Sequence, residues 1–260
     1  MPVNGDAVVG RALVLGYGPS VAVASSTFEI PAGKVAVVIG PNGSGKSTLL
    51  SAIAGLIAPV SGTLEVAVRG TGSRRIAYVL QHTRVNDALP VSVREVVTMG
   101  RYAGTGGYRL LKRADREAVA EAMDRTGITA IAGDHLHRLS GGQRQRVFVA
   151  QGLAQDHDLL LLDEPMTGID LPTAKAIDAV IHDERGRGCT IVIATHDLSE
   201  ARVADHVLLM SGRVVACGPP EEVLTPDHLV AAYGPSLLHA DDGGIFIDDP
   251  AHRRPVDGDG

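Results

Sequence analysis

The sequence predicts an α/β fold, with an antiparallel β-subdomain at its start and a helical subdomain inserted in its middle. Short apolar runs of strand length alternate with helical stretches along most of the chain, which is typical of such a fold. From about residue 87 to residue 155 the pattern is mostly helical, which indicates the insertion. We expect one domain over residues 1–235, followed by a tail.

The first predicted elements are mainly strands. Residues 35–39 form a continuous apolar run that ends at Gly40, which favours a buried strand. A glycine-rich loop then leads into an apolar helix over residues 46–56. The other early strands are predicted at residues 8–15, 20–29, 63–68 and 75–79.

The later elements alternate between helix and strand. The clearest helix covers residues 113–125, where Ala118, Val119, Ala122 and Met123 form an apolar stripe between charged neighbours. Strands are predicted at residues 158–162, 189–195, 206–210 and 214–217, the last two as a hairpin, and a helix at residues 172–187. Residues 236–260 are acidic and rich in Gly and Pro, so we expect a weakly ordered tail.

Composition limits the class of protein. The 260 residues are 45% hydrophobic and 21% charged, as in ordinary globular proteins, and a net charge of -6 gives nucleic acid no general attraction. The longest apolar runs are too short to span a bilayer, and the start lacks the pattern of a signal peptide. The cysteines, Cys189 and Cys217, are too far apart for a C-x-x-C motif. We expect a cytoplasmic globular protein without a nucleic-acid partner.

The strongest motif is a phosphate-binding loop between a predicted strand and a predicted helix. It satisfies the pattern G-x-x-x-x-G-K-[ST] with Gly40, Pro41, Asn42, Gly43, Ser44, Gly45, Lys46, Ser47 and Thr48. Glycines let successive N–H groups surround phosphate oxygens, Lys46 should reach the β- and γ-phosphates, and Ser47 should ligate Mg²⁺. A glycine-rich turn that merely opens a helix is the alternative. The motif predicts a RecA-like P-loop NTPase core that binds ATP and Mg²⁺.

Two carboxylates follow the buried run of residues 159–162. They should emerge at the sheet edge where ligands bind in open α/β sheets. Asp163 suits Mg²⁺ binding, directly or through water, and Glu164 suits polarising an attacking water. Two acids after an apolar strand are commonplace alone, so this prediction depends on the preceding phosphate loop.

A second helix start lies at residues 139–146. Ser140 is a good N-cap for a helix that runs to about residue 154, and Gly141, Gly142 and Gln143 follow it. The free N–H groups and dipole of this helix would form a second anion site in a chain whose first is already complete. An N-capped helix with a glycine turn is the alternative.

Taken together and in this order, the motifs resemble those of the nucleotide-binding subunits of ABC transporters, over about residues 10–233. The resemblance implies that Tyr17 stacks on adenine, although a lone Tyr could equally be a packing residue. Gln81 is similar to the glutamine that touches Mg²⁺ and water and senses the membrane subunit. Leu80 stands where the family often has Pro, which is a mild departure.

The remaining family motifs concern a second subunit. Residues 139–143 match the signature that contacts the γ-phosphate bound by the opposite subunit. Residues 167–170, which end at Asp170, resemble the D-loop, with Ile169 where Leu is usual. His196 is similar to the switch histidine that contacts the γ-phosphate, although alone it could be a structural residue.

These resemblances imply how the protein would work. ATP would join two copies, or a paired nucleotide-binding subunit, with Ser140 and Gly142 of one completing the site of the other. Glu164 would orient water and His196 would stabilise the transferring phosphoryl group. The implied partners are an integral membrane permease and an extracytoplasmic substrate-binding protein, with this chain peripheral on the cytoplasmic face of the membrane.

The cargo is suggested by a weaker resemblance. Residues 90–97 fit a Pro-x-[ST]-Val-x-[DE]-Val-Val pattern before Met-Gly-Arg-Tyr, which is similar to manganese, zinc and iron-chelate importers. The end segment, residues 218–233, is similar to the same group. The alternatives are other cargo including export, a soluble ABC ATPase that works on DNA or the ribosome, and a P-loop kinase or switch.

Other histidines are interpreted as surface groups. The tail holds His239, Asp241, Asp242, Asp248, Asp249 and His252, which suggest metal sensing. Their spacing defines no coordination shell, so a solvated acidic tail is the favoured interpretation. His135 and His137 are expected on the surface of the helical subdomain.

Overall fold

The computed structural model describes residues 5–67, 75–80, 90–102 and 110–234, and the backbone of residues 238–241 and 244–247. Several residues with predicted roles lie outside the described residues: Val68 of a predicted strand, Gln81, and Asp242, Asp248, Asp249 and His252 of the tail. The predictions for them are untested.

The structure is a mixed α/β arrangement, as the sequence predicts. The strands are β1 (Asp6–Tyr17), β2 (Ser20–Pro31), β3 (Val35–Ile39), β4 (Ser61–Val66), β5 (Ile76–Val79), β6 (Leu159–Asp163), β7 (Thr190–Thr195), β8 (His206–Met210), β9 (Val214–Gly218), β10 (Leu238–Asp241) and β11 (Gly244–Ile247). The helices are α1 (Lys46–Ile53), α2 (Val93–Met99), α3 (Arg113–Arg125), α4 (Gly141–Leu153), α5 (Leu171–Gly186), α6 (Leu198–Arg202), α7 (Pro220–Val223) and α8 (Pro226–Tyr233).

In the part of the chain that the structure describes, the main sheet has six strands in the order β5-β6-β7-β3-β8-β9. Neighbours from β5 to β8 pair in parallel, and β9 returns antiparallel to β8, which confirms the predicted hairpin. Side chains of β3 alternate between two cores, with Val37 and Ile39 on one face and Ala36 and Val38 on the other. Because both faces are covered, the central strands are continuously apolar.

A second sheet is antiparallel, with the order β2-β1-β4, and confirms the predicted N-terminal β-subdomain. Its inner side chains, such as Leu13, Leu15 and Val23, pack in the core that also receives α1. This contact places the hairpin of β1 and β2 beside the start of α1.

The first helix is shorter than predicted. We expect residues 46–56 to be helical, yet α1 ends at Ile53. Gly55 has a φ of 74°, and its N–H donates to the carbonyl oxygen of Ala52 at 2.9 Å. A glycine in the left-handed conformation closes the last turn, so the helix stops there.

Helices α2, α3 and α4 lie between β5 and β6 in the chain and pack together. The apolar stripe of α3 is confirmed at its centre, because Val119, Ala122 and Met123 are buried. His135 and His137 are half-buried rather than on the surface, and their rings stack with centroids 5.7 Å apart. An isolated strand-like bridge between Ser92 and His135 draws this segment against the start of α2.

The end of the chain contributes a small hairpin in which β10 and β11 pair antiparallel. The weak order expected for residues 236–260 stays a prediction. Within the described ranges, no helix combines the length and the apolar character needed to cross a bilayer.

Candidate active site at one edge of the main sheet

The three parallel strands at the centre of the sheet bring distant motifs together. Strands β6, β7 and β3 are adjacent, with Asp163 opposite Ala194 and Ile39 opposite Thr195. The phosphate loop follows β3, Glu164 follows β6 and His196 follows β7, so all three lie at the carboxyl edge. This is the position in which open α/β sheets bind ligands.

The phosphate loop depends on glycines for its path. Gly45 precedes α1 with a φ of 98°, and a Cβ there would lie 2.6 Å from Cγ2 of Val23. A Cβ on Gly40 would lie 2.1 Å from the carbonyl oxygen of Met210. No side chain among the described residues caps the first turn of α1, so its N–H groups keep their capacity to bind an anion.

Lys46 lies under this loop with its side chain buried. Its Nζ donates to the carbonyl oxygens of Gly40 at 2.8 Å and Pro41 at 3.2 Å. Burial lowers the pKa of Lys46, although the charges of Glu164 and Asp163 oppose this effect. A desolvated ammonium held beside a loop of N–H donors is suited to a polyanionic ligand.

Asp163 is also buried, with 4% of its surface exposed. Tyr78 donates its hydroxyl hydrogen to Oδ2 at 3.4 Å, and Ser47 is also a hydrogen-bond partner of this carboxyl group. The other oxygen, Oδ1, has no hydrogen-bond partner among the described residues. Burial raises the pKa of Asp163. An unpartnered buried carboxylate oxygen beside a hydroxyl group is a donor set that fits Mg²⁺.

Glu164 adopts an unusual backbone conformation with a φ of 46°. Its N–H donates to the carbonyl oxygen of Ala194 at 2.9 Å, which ties it to β7. Its Oε2 accepts a hydrogen bond from Oγ1 of Thr167 at 3.2 Å and lies 3.7 Å from Nδ1 of His196. Left-handed backbone at a non-glycine residue is costly, and such residues concentrate at functional sites.

His196 stands between β7 and α6, with 36% of its side chain exposed. The turn is fixed by Oγ1 of Thr195, which accepts from the N–H of Asp197 at 3.1 Å. Asp197 in turn caps α6 by accepting from the N–H of Ser199 at 2.7 Å. These bonds hold the imidazole at the sheet edge beside Glu164.

The predicted signature begins α4, and its N-cap is confirmed. Oγ of Ser140 accepts from the N–H of Gln143 at 3.2 Å, while Oε1 of Gln143 accepts from the N–H of Ser140 at 3.0 Å. Each of the two side chains thus accepts a hydrogen bond from the backbone N–H of the other residue. This capping box defines where the helix starts.

The signature and the predicted D-loop lie against each other within one chain. A Cβ on Gly142 would lie 2.7 Å from Oγ1 of Thr173 and 3.1 Å from Oδ1 of Asp170. Asp170 caps α5, since its carboxylate accepts from the N–H of Thr173 at 3.1 Å. A Cβ on Gly141 would have no neighbour within 4 Å among the described residues.

The predicted residues therefore form two groups. The first, at the sheet edge, holds the loop of residues 40–48, Asp163, Glu164 and His196. The second holds Ser140 to Gln143 and Asp170. Tyr17 lies at the end of β1 with 56% of its surface exposed, so its ring is open to a ligand.

Sequence reasoning missed two residues beside the site. Tyr78 contacts Asp163, and burial raises the pKa of Tyr78 to about 12, which keeps it a neutral donor. Glu200 on α6 is half-buried beside His196 and Thr195, and burial raises the pKa of its carboxyl group. The position of Tyr78 near the end of a strand next to β6 could have indicated the first. No sequence signal indicated Glu200.

Comparison with known proteins identifies the family of the chain. The sequence pattern that defines the ABC transporter family matches residues 23–167. The chain is 37% identical over 259 residues to the chelated iron transport system membrane protein YfeB of Yersinia pestis, covering 98% of this chain and 88% of the relative. It is 39% identical to the zinc transport system ATP-binding protein TroB of Treponema pallidum, covering 85% of each.

The fold also matches a solved structure. An ABC transporter assigned to the metal-chelate type, in an inward-facing conformation, superposes with a TM-score of 0.77 at 27% identity. The match covers 93% of this chain and 95% of that chain. The chain belongs to the ABC transporter family, and it is an ATP-binding subunit with ATPase activity.

Proposed function

We propose that this chain hydrolyses ATP at sites shared between two nucleotide-binding subunits and thereby drives import of manganese, zinc or an iron chelate. The cargo would pass through a separate membrane permease, supplied by an extracytoplasmic substrate-binding protein. The chain would lie on the cytoplasmic face of the membrane. The observation that carries the proposal of ATP hydrolysis is the convergence of Lys46, Asp163, Glu164 and His196 at one sheet edge.

Nucleotide binding would use the loop of residues 40–48. The N–H groups of the loop and the buried ammonium of Lys46 would hold the phosphates, and the exposed ring of Tyr17 would stack on adenine. Ser47 and Asp163 would hold Mg²⁺, with Gln81 as a further ligand. When bound, Mg²⁺ neutralises charge on the β- and γ-phosphate oxygens.

Hydrolysis would depend on the pair formed by Glu164 and His196. Glu164 would accept a hydrogen bond from water and orient it for attack on the γ-phosphorus, with ADP as the leaving group. The imidazole of His196 would donate to the γ-phosphate oxygens, where charge develops. The separation of 3.7 Å between Nδ1 of His196 and Oε2 of Glu164 supports joint action at one phosphate.

The second subunit would contribute the start of α4. Ser140 and Gly141 are exposed, and the surroundings of Gly141 leave room for a ligand or a partner. A capped helix start with unused N–H groups would bind the γ-phosphate held by the opposite copy. ATP would then join two surfaces, and hydrolysis would remove the shared group.

The cargo proposal is supported by the relatives. YfeB is named for chelated iron and TroB for zinc, and both align over most of this chain. The solved structure of metal-chelate type aligns over nearly the whole chain as well. The importer-like pattern at residues 90–97 agrees with these names.

The test is the metal content of cells that lack this chain. A deletion strain would be complemented with wild type, with Glu164→Gln, or with Glu65→Gln as a control on an exposed strand position. Under metal-limited growth we expect a selective fall in manganese, zinc or iron by mass spectrometry, restored by wild type and the control alone. An unchanged metal profile would overturn the metal cargo while leaving the ATPase activity in place.

A further inference from the structure

We propose that Cys189, His157 and Glu184 form a zinc-binding site at the end of the main sheet opposite the candidate active site. One ligand atom from each of the three side chains lies within 4.8 Å of the other two. We refer to these three residues as the Cys–His–Glu cluster. The proposal does not depend on the cargo of the transporter.

The cluster is separate from the nucleotide site. His157 lies before β6 and Cys189 before β7, at the amino ends of adjacent parallel strands, and Glu184 lies in the last turns of α5. The candidate active site follows the carboxyl ends of the same strands. A five-residue strand places the two regions about 15 Å apart.

The hydrogen bonds of His157 imply a shared positive charge. Its Nδ1 lies 2.9 Å from the carbonyl oxygen of Gln155, which can only accept, so the hydrogen is on Nδ1. Its Nε2 lies 3.0 Å from Oε2 of Glu184. In a neutral ring this nitrogen and this oxygen would direct lone pairs at each other. A proton or a metal ion must therefore lie between them.

Neighbouring groups hold the side chains of His157 and Glu184 in fixed orientations, as they hold the ligands of metal sites. The backbone carbonyl of Gln155 fixes the imidazole, and Nη2 of Arg125 lies 2.6 Å from Oε1 of Glu184. Such outer contacts orient ligands and set which atoms face the ion. Each side chain of the Cys–His–Glu cluster is buried.

A divalent ion would keep the charge of the Cys–His–Glu cluster balanced. Arg125 also contacts Asp183 at 2.6 Å, so its charge is matched by a carboxylate outside the cluster. Without metal, Sγ of Cys189 donates to the carbonyl oxygen of Thr190 at 3.4 Å. Zinc binding would replace this thiol hydrogen and the proton that His157 shares with Glu184, and the divalent ion would balance the two negative charges that remain.

The donor set fits zinc. One sulfur, one imidazole nitrogen and one carboxylate oxygen are the ligand types that Zn²⁺ accepts, and three protein ligands leave its fourth position for water. A cavity of about 270 Å³ adjoins the cluster and is lined by all three of its residues. A zinc ion would reach the Cys–His–Glu cluster through this cavity, which also has room for a water molecule as the fourth ligand.

The chain contains a matched control. Cys217 and His206 also approach each other, with Sγ 3.2 Å from Nε2. Within the described part of the chain, only the Cys–His–Glu cluster adds a carboxylate to a thiol and an imidazole. Burial raises the pKa of Cys217 and lowers that of His206, so this second pair favours neutral groups.

The experiment uses the full chain, freed of metal with a chelator and titrated with Co²⁺ and Zn²⁺. We expect one ion per chain, a thiolate-to-cobalt charge-transfer band, and loss of that band when zinc is added. Cys189→Ser should remove the band, and it should weaken zinc binding by more than the roughly 10–100-fold expected for losing an outer contact. Cys217→Ser should leave the charge-transfer band and the zinc affinity unchanged.

Other outcomes would overturn the site. Absence of a thiolate band, or a band lost in Cys217→Ser instead, would show that the Cys–His–Glu cluster is a hydrogen-bonded ion pair only. Equal zinc affinity in wild type and Cys189→Ser would also overturn the proposed zinc site. Nucleotide binding by each variant checks its fold, and Glu184→Gln provides a second ligand change with the same expectation of weaker binding.

Discussion

Nδ1 of His196 lies 3.7 Å from Oε2 of Glu164, across two adjacent strands of the main sheet. The approach depends on the left-handed backbone of Glu164, with a φ of 46°, and on its N–H bond to Ala194. The same carboxylate accepts from Thr167 in the predicted D-loop. A single glutamate thus links β6, β7 and the segment that leads to the proposed subunit interface.

Replacing Glu164 should slow ATP hydrolysis while leaving ATP binding intact. We expect Glu164→Gln to bind ATP as wild type does, because the loop and Lys46 are unchanged. Its phosphate release should fall by about 10²–10⁴-fold, the usual contribution of a general base. With ATP, the variant should accumulate as a dimer in gel filtration. A normal turnover rate in this variant would remove Glu164 from the proposed role.

Removing the buried ammonium should abolish most nucleotide affinity. Lys46→Ala loses a desolvated charge placed beside the phosphate loop, and we expect ATP binding to weaken by about 100-fold, in the range for a truncated buried charge pair. Calorimetry measures this directly. Lys175→Ala, at an exposed position of α5, is the matched control and should bind ATP normally. Equal affinity in the two variants would contradict the loop assignment.

The capping serines offer a matched pair for the proposed interface. Ser140 and Ser92 both form capping boxes, at α4 and α2. Either change to Ala should cost about 1 kcal/mol of folding stability through the lost N-cap. We expect only Ser140→Ala to reduce steady-state ATP hydrolysis, while both variants bind ATP. Similar ATPase rates in the two variants would argue against a γ-phosphate contact from α4.

The ion pair of His157 and Glu184 should make stability depend on pH. Burial alone would lower the pKa of His157, but hydrogen bonds to Cys189 and Glu184 outweigh it and raise the pKa to about 10. Burial alone would raise the pKa of Glu184, but His157 and Arg125 outweigh it and lower the pKa to about 2. Other charged groups lining the neighbouring cavity are Arg75, Arg101, Glu121, Asp156, Asp158 and Arg187.

The directions of the two pKa shifts define the pH range in which the ion pair of His157 and Glu184 stabilises the fold. A raised histidine pKa stabilises the fold fully below about pH 6.5, and the effect fades as the pH rises towards 10. A lowered glutamate pKa stabilises the fold above about pH 4.3, and this is lost as the pH falls towards 2. In metal-free protein, His157→Gln should cost about 1–3 kcal/mol near pH 5–6. Melting temperatures should show this difference shrinking by pH 9, and a constant difference would contradict it.

Local sequence patterns predicted the elements well, because strand and helix periodicity is written in neighbouring residues. The buried strand at residues 35–39 and the N-cap at Ser140 are where the sequence places them. The end of α1 was wrong by three residues, since the left-handed turn at Gly55 overrides the apolar pattern. The half-buried stack of His135 and His137 was missed because it depends on the packing of α2.

By itself the sequence determined the motifs, the fold class and the family resemblance, because each is carried by residues close together in the chain. Tertiary structure alone decided which distant groups meet. It set Tyr78 against Asp163 and Gly142 against Asp170, and it brought His157, Glu184 and Cys189 into one cluster. The order of strands in the sheet decides which of these residues become neighbours. Local sequence patterns do not encode that order, so they cannot predict the distances between residues on different loops.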